Sequence, residues 1–361
     1  MCATRPRAPR ALLLAALAAA SPVAPLAAEA AGACVEIGDP AVRLACYDRA
    51  HGRAADGSAA TGGSTTPAAT TGPAAGAAAS GAARVAASDG EAAAEPSLLG
   101  ERWALDPGTS GGRFGVRYHN PNYIVARWTN NPNQAPYTPL FASAGVPAQE
   151  LEATEVKFQL SFKARLWETD TRAAALWLGY TQQSHWQIMN ADLSRPFRET
   201  DYAPELMFAL RPDLEYEGIR WRLANFGFIH QSNGRSDPLS RSWNRVFLQL
   251  GFEMGDAALL LRPWLRIRES ADDDDNRDIT DYLGYGDITL LVRSRGHTFT
   301  LTGRGNPGTG KGAAQMEWST PPLLGPLKGY VQVFSGYGES LIDYNARQTT
   351  VGVGLSLNDA L

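Results

Sequence analysis

Two short polar runs bring a hydroxyl, an imidazole and an amide into one neighbourhood. His230-Gln231-Ser232 sets an imidazole and a hydroxyl two residues apart. On an extended strand that spacing turns both side chains to the same face, which also carries Phe226 and Phe228. Asn233 to Ser242 reads as a loop, with Gly234 and Pro238 as its turn residues. The chain then returns as a second strand in which Asn244 shares the parity of Val246, Leu248 and Leu250. A serine hydroxyl is a weak nucleophile until an adjacent imidazole takes its proton, and an amide oxygen can hold that imidazole in the required tautomer. The backbone N–H of Gly234 is the candidate donor to an oxyanion. His-x-Ser alone is common by chance. It gains weight here because polar groups on an apolar face are costly unless they are paired or used.

The elements that must position these residues are strands. From Val156 to Leu166, Val156, Phe158, Leu160 and Phe162 alternate with Lys157, Gln159, Ser161 and Lys163. The same period of two runs through Val351 to Asn358 and Asn244 to Met254. A soluble sandwich also alternates, but it covers its apolar faces with a second sheet. Strands of about ten residues match a tilted bilayer crossing. Trp167, Trp177, Tyr180, Trp186, Trp264, Tyr282, Tyr285, Tyr330 and Tyr337 lie near strand ends, as interfacial girdles do. The predicted fold is therefore all-β, a transmembrane antiparallel β-barrel of about twelve strands after a small N-terminal extension and a disordered linker. On this reading Ser232, His230 and Asn244 face lipid on two neighbouring strands, a placement of use to an enzyme whose substrate is the bilayer.

Composition agrees with that class. Among 361 residues, 33 are basic and 37 acidic, so nothing points to nucleic acid. No stretch approaches the ~20 apolar residues of a spanning helix. Residues 1–30 read as a signal peptide: Arg5, Arg7 and Arg10, an apolar stretch from Ala11 to Ala20, and Ala28-Glu29-Ala30 as the cleavage site. Residues 31–51 form a small segment in which Cys34 and Cys46 are expected to pair after export. Residues 52–98 are an Ala/Gly/Ser/Thr/Pro linker with little to bury, and 99–361 form the barrel.

Beyond these patterns, the sequence resembles the outer-membrane phospholipase A family of Gram-negative bacteria. The resemblance rests on His230-x-Ser232-Asn233-Gly234-Arg235-Ser236-Asp237-Pro238 and Ser240-Arg241-Ser242-Trp243-Asn244-Arg245. It extends to Tyr180-Thr181-Gln182-Gln183-Ser184, Trp186-Gln187, Pro196-Phe197-Arg198-Glu199-Thr200 and Ser335-Gly336-Tyr337-Gly338-Glu339-Ser340-Leu341-Ile342-Asp343-Tyr344-Asn345. It implies calcium-dependent hydrolysis of phospholipid acyl esters in the bacterial outer membrane, by a triad of Ser232, His230 and Asn244. It further implies an enzyme inactive as a monomer and active as a homodimer. Calcium would be held by the Ser240 hydroxyl and the Arg235 carbonyl, with the carbonyl at Ser194 supplied by the other subunit and water completing the shell. Gln182 matches a position that hydrogen-bonds across the dimer interface. The resemblance does not reach the cysteine segment or the linker, which are expected to be periplasmic.

Other signals are weaker. Gly305 to Gly312 nearly spells a phosphate-binding loop, but Gly312 stands where Ser or Thr should take magnesium, and strands surround it. The acidic run Asp272 to Asp275 reads as a solvated extracellular loop, with a second divalent ion shared with Asp237 as the sharper alternative. His185 reads as interfacial packing. A passive porin or a scaffold barrel without hydrolytic activity would share the fold.

Overall fold

Alternation at period two is what the chain turns into ladders. In the computed structural model, residues 97–106, 115–144, 150–270 and 272–359 are described. The signal, the cysteine pair and most of the linker lie outside them. Ser97 and Leu98, which the sequence places at the end of the linker, are already the N-cap and first residue of helix α1 (Leu98–Trp103).

The described strands are β1 (Val116–Tyr118), β2 (Tyr123–Thr129), β3 (Thr154–Glu168), β4 (Ala174–Trp186), β5 (Phe197–Leu210), β6 (Leu214–Tyr216), β7 (Ile219–Ser232) and β8 (Ser242–Met254). They continue as β9 (Ala257–Ile267), β10 (Gly286–Ser294), β11 (His297–Asn306), β12 (Lys311–Leu324), β13 (Leu327–Tyr337) and β14 (Arg347–Ser356). Helix α2 (Thr138–Ala144) lies between β2 and β3, and α3 (Ile279–Leu283) between β9 and β10. Each long strand pairs antiparallel with its neighbours, and β14 pairs with β2, so the described strands close into a 12-stranded barrel. The two short strands add to it, β1 on β3 and β6 on β7. Between β1 and β2 the Asn122 side chain stands in for the ladder, accepting from Ser161 N at 2.7 Å and donating to Ser161 O at 3.0 Å.

The distribution of side chains is inverted relative to a water-soluble protein. Val353, Phe226, Leu160 and Leu301 are exposed on the outer wall, Val353 at 59%, whereas Arg127 inside is 2% exposed. That is an apolar band around a polar lumen, as a bilayer solvent requires. Turns at one end are short. The other end carries the longer connections, which in outer-membrane barrels face outside the cell. At the short-turn end α1 is drawn into the barrel: Ser97 Oγ donates to Glu253 at 3.0 Å, Leu99 N to Glu253 at 2.5 Å, and Leu99 and Trp103 are buried.

Inside the long-loop end lies a web of ion pairs. Arg127 meets Glu155 at 2.6 Å and Glu339 through two nitrogens, while Arg198 reaches Glu155 at 3.0 Å and Asp343 at 2.9 Å. His185 belongs to this web, 2.8 Å from Glu155 and fully buried, and is not interfacial. The girdle expectation needs the same correction. Trp167 and Tyr285 face outward, but Trp177, Trp264 and Tyr330 are buried in the lumen, where they pack the inner layer. Below the web a cavity of about 310 Å³ remains, lined in part by Arg245, Arg262, Asp287 and Glu317.

Candidate active site

The two strands that carry the polar triplet are in register for it. On the β7–β8 ladder His230 is directly opposite Asn244 and Ser232 opposite Ser242. The side chains of His230 and Asn244 meet at 2.9 Å, Nδ1 to Oδ1. Ser232 stands two residues along on the same outward face, and Phe226, Phe228 and Leu248 continue that face into the apolar band. All three polar residues are half-buried. The expected nucleophile, base and orienting group are thus gathered on the outer wall, at the long-loop end.

The inner face behind them is tightly tied. Trp243 Nε1 and Arg245 both donate to Gln231 Oε1, at 3.1 and 2.9 Å, and the Arg245 guanidinium lies 3.7 Å over the Trp243 ring. Because inner and outer residues alternate, this layer holds the backbone from which His230, Ser232 and Asn244 project.

The connecting loop has an organiser that sequence reasoning passed over. Asn233, 4% exposed, donates through its amide to Leu239 O at 2.8 Å and to Glu199 at 3.0 Å. Its carbonyl accepts from Arg241 N at 3.0 Å and Arg235 N at 3.3 Å. One buried side chain thus spans the whole loop and anchors it to β5. Gly234 follows with φ +63°, a conformation that suits glycine, above the Tyr202 ring. Asn233→Ala strands these partners, so trypsin cleavage at Arg235 and Arg241 should quicken by about tenfold or more. Unchanged cleavage kinetics would show that the loop is held by other means.

The oxygen donors named for calcium are present on this loop. The Arg235 side chain turns back to the carbonyls of Phe197 and Arg198, at 3.1 and 2.6 Å. Ser240 Oγ donates to Asp275 at 2.5 Å, bringing one carboxylate of the acidic run beside it. Two other members of that run are engaged elsewhere: Asp274 with Arg266 at 2.6 Å and Asp273 with Ser270 at 2.5 Å. Among the described residues no three His, Cys, Asp or Glu side chains converge as a metal cage. A serine hydroxyl, a carbonyl and a nearby carboxylate still match the oxygen preference of a hard cation, with coordination to be completed by water or a second chain. Ser194 is exposed on the β4–β5 connection. Gln182 sits on the outward face of β4 opposite Leu160, half-buried, between Tyr180 Oη at 3.2 Å and Ser184 Oγ at 3.3 Å. The near-phosphate-loop is the β11–β12 hairpin itself, its turn at residues 307–310.

A further polar group missing from the sequence reading is Glu269, two residues beyond the end of β9. It accepts from Asn244 Nδ2 at 2.6 Å. Parity carried the signal, since Leu265 and Ile267 face outward and 269 continues them. The β8–β9 register that brings Ile267 opposite Asn244 was not countable from the sequence.

Comparison with known proteins gives the family of the barrel. The family model described as Phospholipase A1 matches residues 99–357. A putative phospholipase A1 of Neisseria meningitidis is 44% identical over 286 residues, covering 76% of this chain and 73% of that protein. Phospholipase A1 of Escherichia coli K12 is 42% identical over 248 residues, 68% of this chain and 82% of that one. Among solved structures, the outer membrane phospholipase A of Escherichia coli superposes with TM-score 0.65 at 36% identity, over 73% of this chain and 100% of its own. A Salmonella typhi outer membrane phospholipase, solved as a dimer with bound calcium, matches with TM-score 0.65 at 36% identity, over 73% of this chain and 98% of that one. With a family model spanning the whole barrel, relatives above 40% identity and a shared closed 12-stranded wall, the chain belongs to the phospholipase A1 family of outer-membrane β-barrel ester hydrolases.

Proposed function

We propose that this phospholipase cleaves phospholipid acyl esters with Ser232 as nucleophile, His230 as base and Asn244 as orienting group, at the outer wall of the barrel and as a calcium-dependent homodimer. The observation that carries the reading is the His230–Asn244 hydrogen bond beside Ser232 on a face otherwise given to lipid. His230 Nε2 takes the Ser232 proton as Oγ bonds to the acyl carbon, and the carbonyl electrons move to the oxygen. On collapse His230 returns that proton to the departing lysophospholipid oxygen. Water, deprotonated by His230, then releases the fatty acid and restores Ser232. The Gly234 N–H is the protein's donor to the oxyanion.

Calcium, when bound by Ser240 Oγ, the Arg235 carbonyl and a Ser194 carbonyl of a second copy, supplies positive charge beside the developing oxyanion. Gln182, an outward-facing amide held within the chain by Tyr180 and Ser184, has hydrogen-bonding capacity left to reach a second copy and is the proposed contact across the dimer. Residues 1–30 are proposed as the export signal and 31–96 as a periplasmic extension that ends where α1 enters the barrel. The webbed lumen gives little support to a passive channel.

Chelating divalent ions should reduce fatty-acid release from mixed micelles by about a hundredfold or more, with recovery on adding calcium. Cross-linking should enrich the active species as dimer. Full release in chelator would remove calcium from the mechanism and leave the triad standing.

A further inference from the structure

We infer that Glu269 is a positioning residue for the proposed triad, fixing which end of the Asn244 amide faces His230. The inference rests on that assignment of the triad and extends it by one group.

An asparagine is an awkward orienting residue. Its amide has two ends of nearly the same shape and opposite hydrogen-bonding character, and only one serves the chemistry. If Oδ1 faces the imidazole, Nδ1 must carry the proton, and Nε2 is left with a lone pair for the serine proton. If Nδ2 faces it instead, Nδ1 becomes the acceptor and Nε2 the donor, and the base is lost. Something must tell the two ends apart.

Glu269 does so. An ionised carboxylate accepts hydrogen bonds and donates none. Its Oε1 lies 2.6 Å from Asn244 Nδ2, so the NH₂ end is held on the Glu269 side. Oδ1 is thereby turned to His230 Nδ1, 2.9 Å away. Acceptor, amide and imidazole then form one directional series, Glu269–Asn244–His230, whose far end is the free Nε2. No proton passes along it; the amide transmits orientation and polarisation only.

A second observation makes the carboxylate more than a convenient acceptor. Glu269 Oε2 is buried without a hydrogen-bond partner, and no ion pair joins Glu269 to a basic side chain among the described residues. Asn244 is therefore the hydrogen-bond partner of this carboxylate among the described residues. The carboxylate lies behind a neutral orienting residue, which by itself stabilises an imidazolium less than a carboxylate in that place would. The negative charge of a Ser-His-Asp site is here set one residue further back.

The test is a double-mutant cycle on the full-length protein. Fatty-acid release from phospholipid–detergent micelles in calcium is measured for the wild type, Glu269→Gln, Asn244→Asp, the double variant and Asn244→Ala. Folding is checked by migration of the unheated barrel on a denaturing gel. Glu269→Gln keeps the shape but offers Asn244 either end of an amide, so kcat should fall about tenfold to a hundredfold with KM little changed. In the double variant the carboxylate introduced at position 244 accepts from His230 with one oxygen and from the amide introduced at position 269 with the other. That restores a directional series with the charge moved one position, so the double variant should be more active than either single. Asn244→Asp alone sets two carboxylates against each other and should be impaired.

If Glu269→Gln stays within about twofold of wild type while Asn244→Ala is impaired, the positioning role is overturned and the triad survives. If Glu269→Gln is impaired and Asn244→Asp restores nothing, Glu269 serves only the fold, which also overturns the role. If folded Asn244→Ala keeps full activity, the triad assignment falls and this inference falls with it.

Discussion

Replacing Ser232 by alanine is expected to lower kcat for fatty-acid release by at least about a thousandfold while leaving the barrel intact. Removing the nucleophile from such a constellation leaves only binding and oxyanion stabilisation, neither of which forms the acyl intermediate. Ser232 projects from the end of β7 on its outward face, half-buried, and alanine removes one oxygen there without opening a cavity in the lumen. The unheated protein should therefore keep its compact migration and its thermal midpoint. The decisive measurement pairs that folding check with release in saturating calcium. Persistent release by folded Ser232→Ala would move the nucleophile elsewhere and end the triad reading.

The second large effect concerns stability. Glu339, on the β13–β14 connection, closes the ion-pair web: it meets Arg127 and lies 3.3 Å from Lys157, and Thr350 Oγ1 donates to it at 3.0 Å. Its side chain and those of both cations are 1–2% exposed. Glu339→Gln leaves two buried cations short of their counter-charge, which should cost about 3–5 kcal/mol in unfolding free energy measured in denaturant. Burial alone would push the Glu339 carboxyl up, but Lys157 and Arg127 outweigh it and hold the group well below its ordinary value of 4.5. A carboxyl harder to protonate folded than unfolded stabilises the fold fully above its unfolded value. That contribution is lost as pH falls below 4.5 toward the lower folded value. Wild-type stability should therefore decline with acid over that window, and Glu339→Gln should decline less. A variant with wild-type stability and an unchanged pH slope would show that the web carries no net stabilisation.

Much of the architecture was legible because a membrane barrel writes its two solvents into alternate residues. Val156 to Leu166 announced both the strand and which face meets lipid, and the parity of His230, Ser232 and Asn244 was readable in the same way. Trp177, Trp264 and Tyr330 misled because aromatic type marks an interface only when the side chain faces outward; on inward positions the same rings fill the lumen. His185 misled similarly, since its aromatic neighbours in sequence point the other way while its partner Glu155 comes from β3. Glu269, and the contact of Asp275 with Ser240, stayed hidden for a different reason. Both pairings depend on how β9 registers against β8 and how the next connection folds back, neither of which a local pattern fixes. Helix α1 escaped notice because a six-residue helix is too short for its period to stand out after a long linker.

The contrast between a webbed interior and an outer wall that carries His230, Ser232 and Asn244 has a kinetic meaning. Under the proposed assignment, substrate reaches Ser232 by sliding along the plane of the membrane, and products leave the same way. Encounter is then two-dimensional, and the governing quantity is the number of phospholipids per unit area beside β7 and β8. Diluting the surface with inert amphiphile at constant bulk lipid should slow turnover, whereas adding more particles of the same surface composition should not speed it once every barrel is embedded. On that assignment the barrel wall gives one side of the active site, and the surrounding lipid film supplies the other.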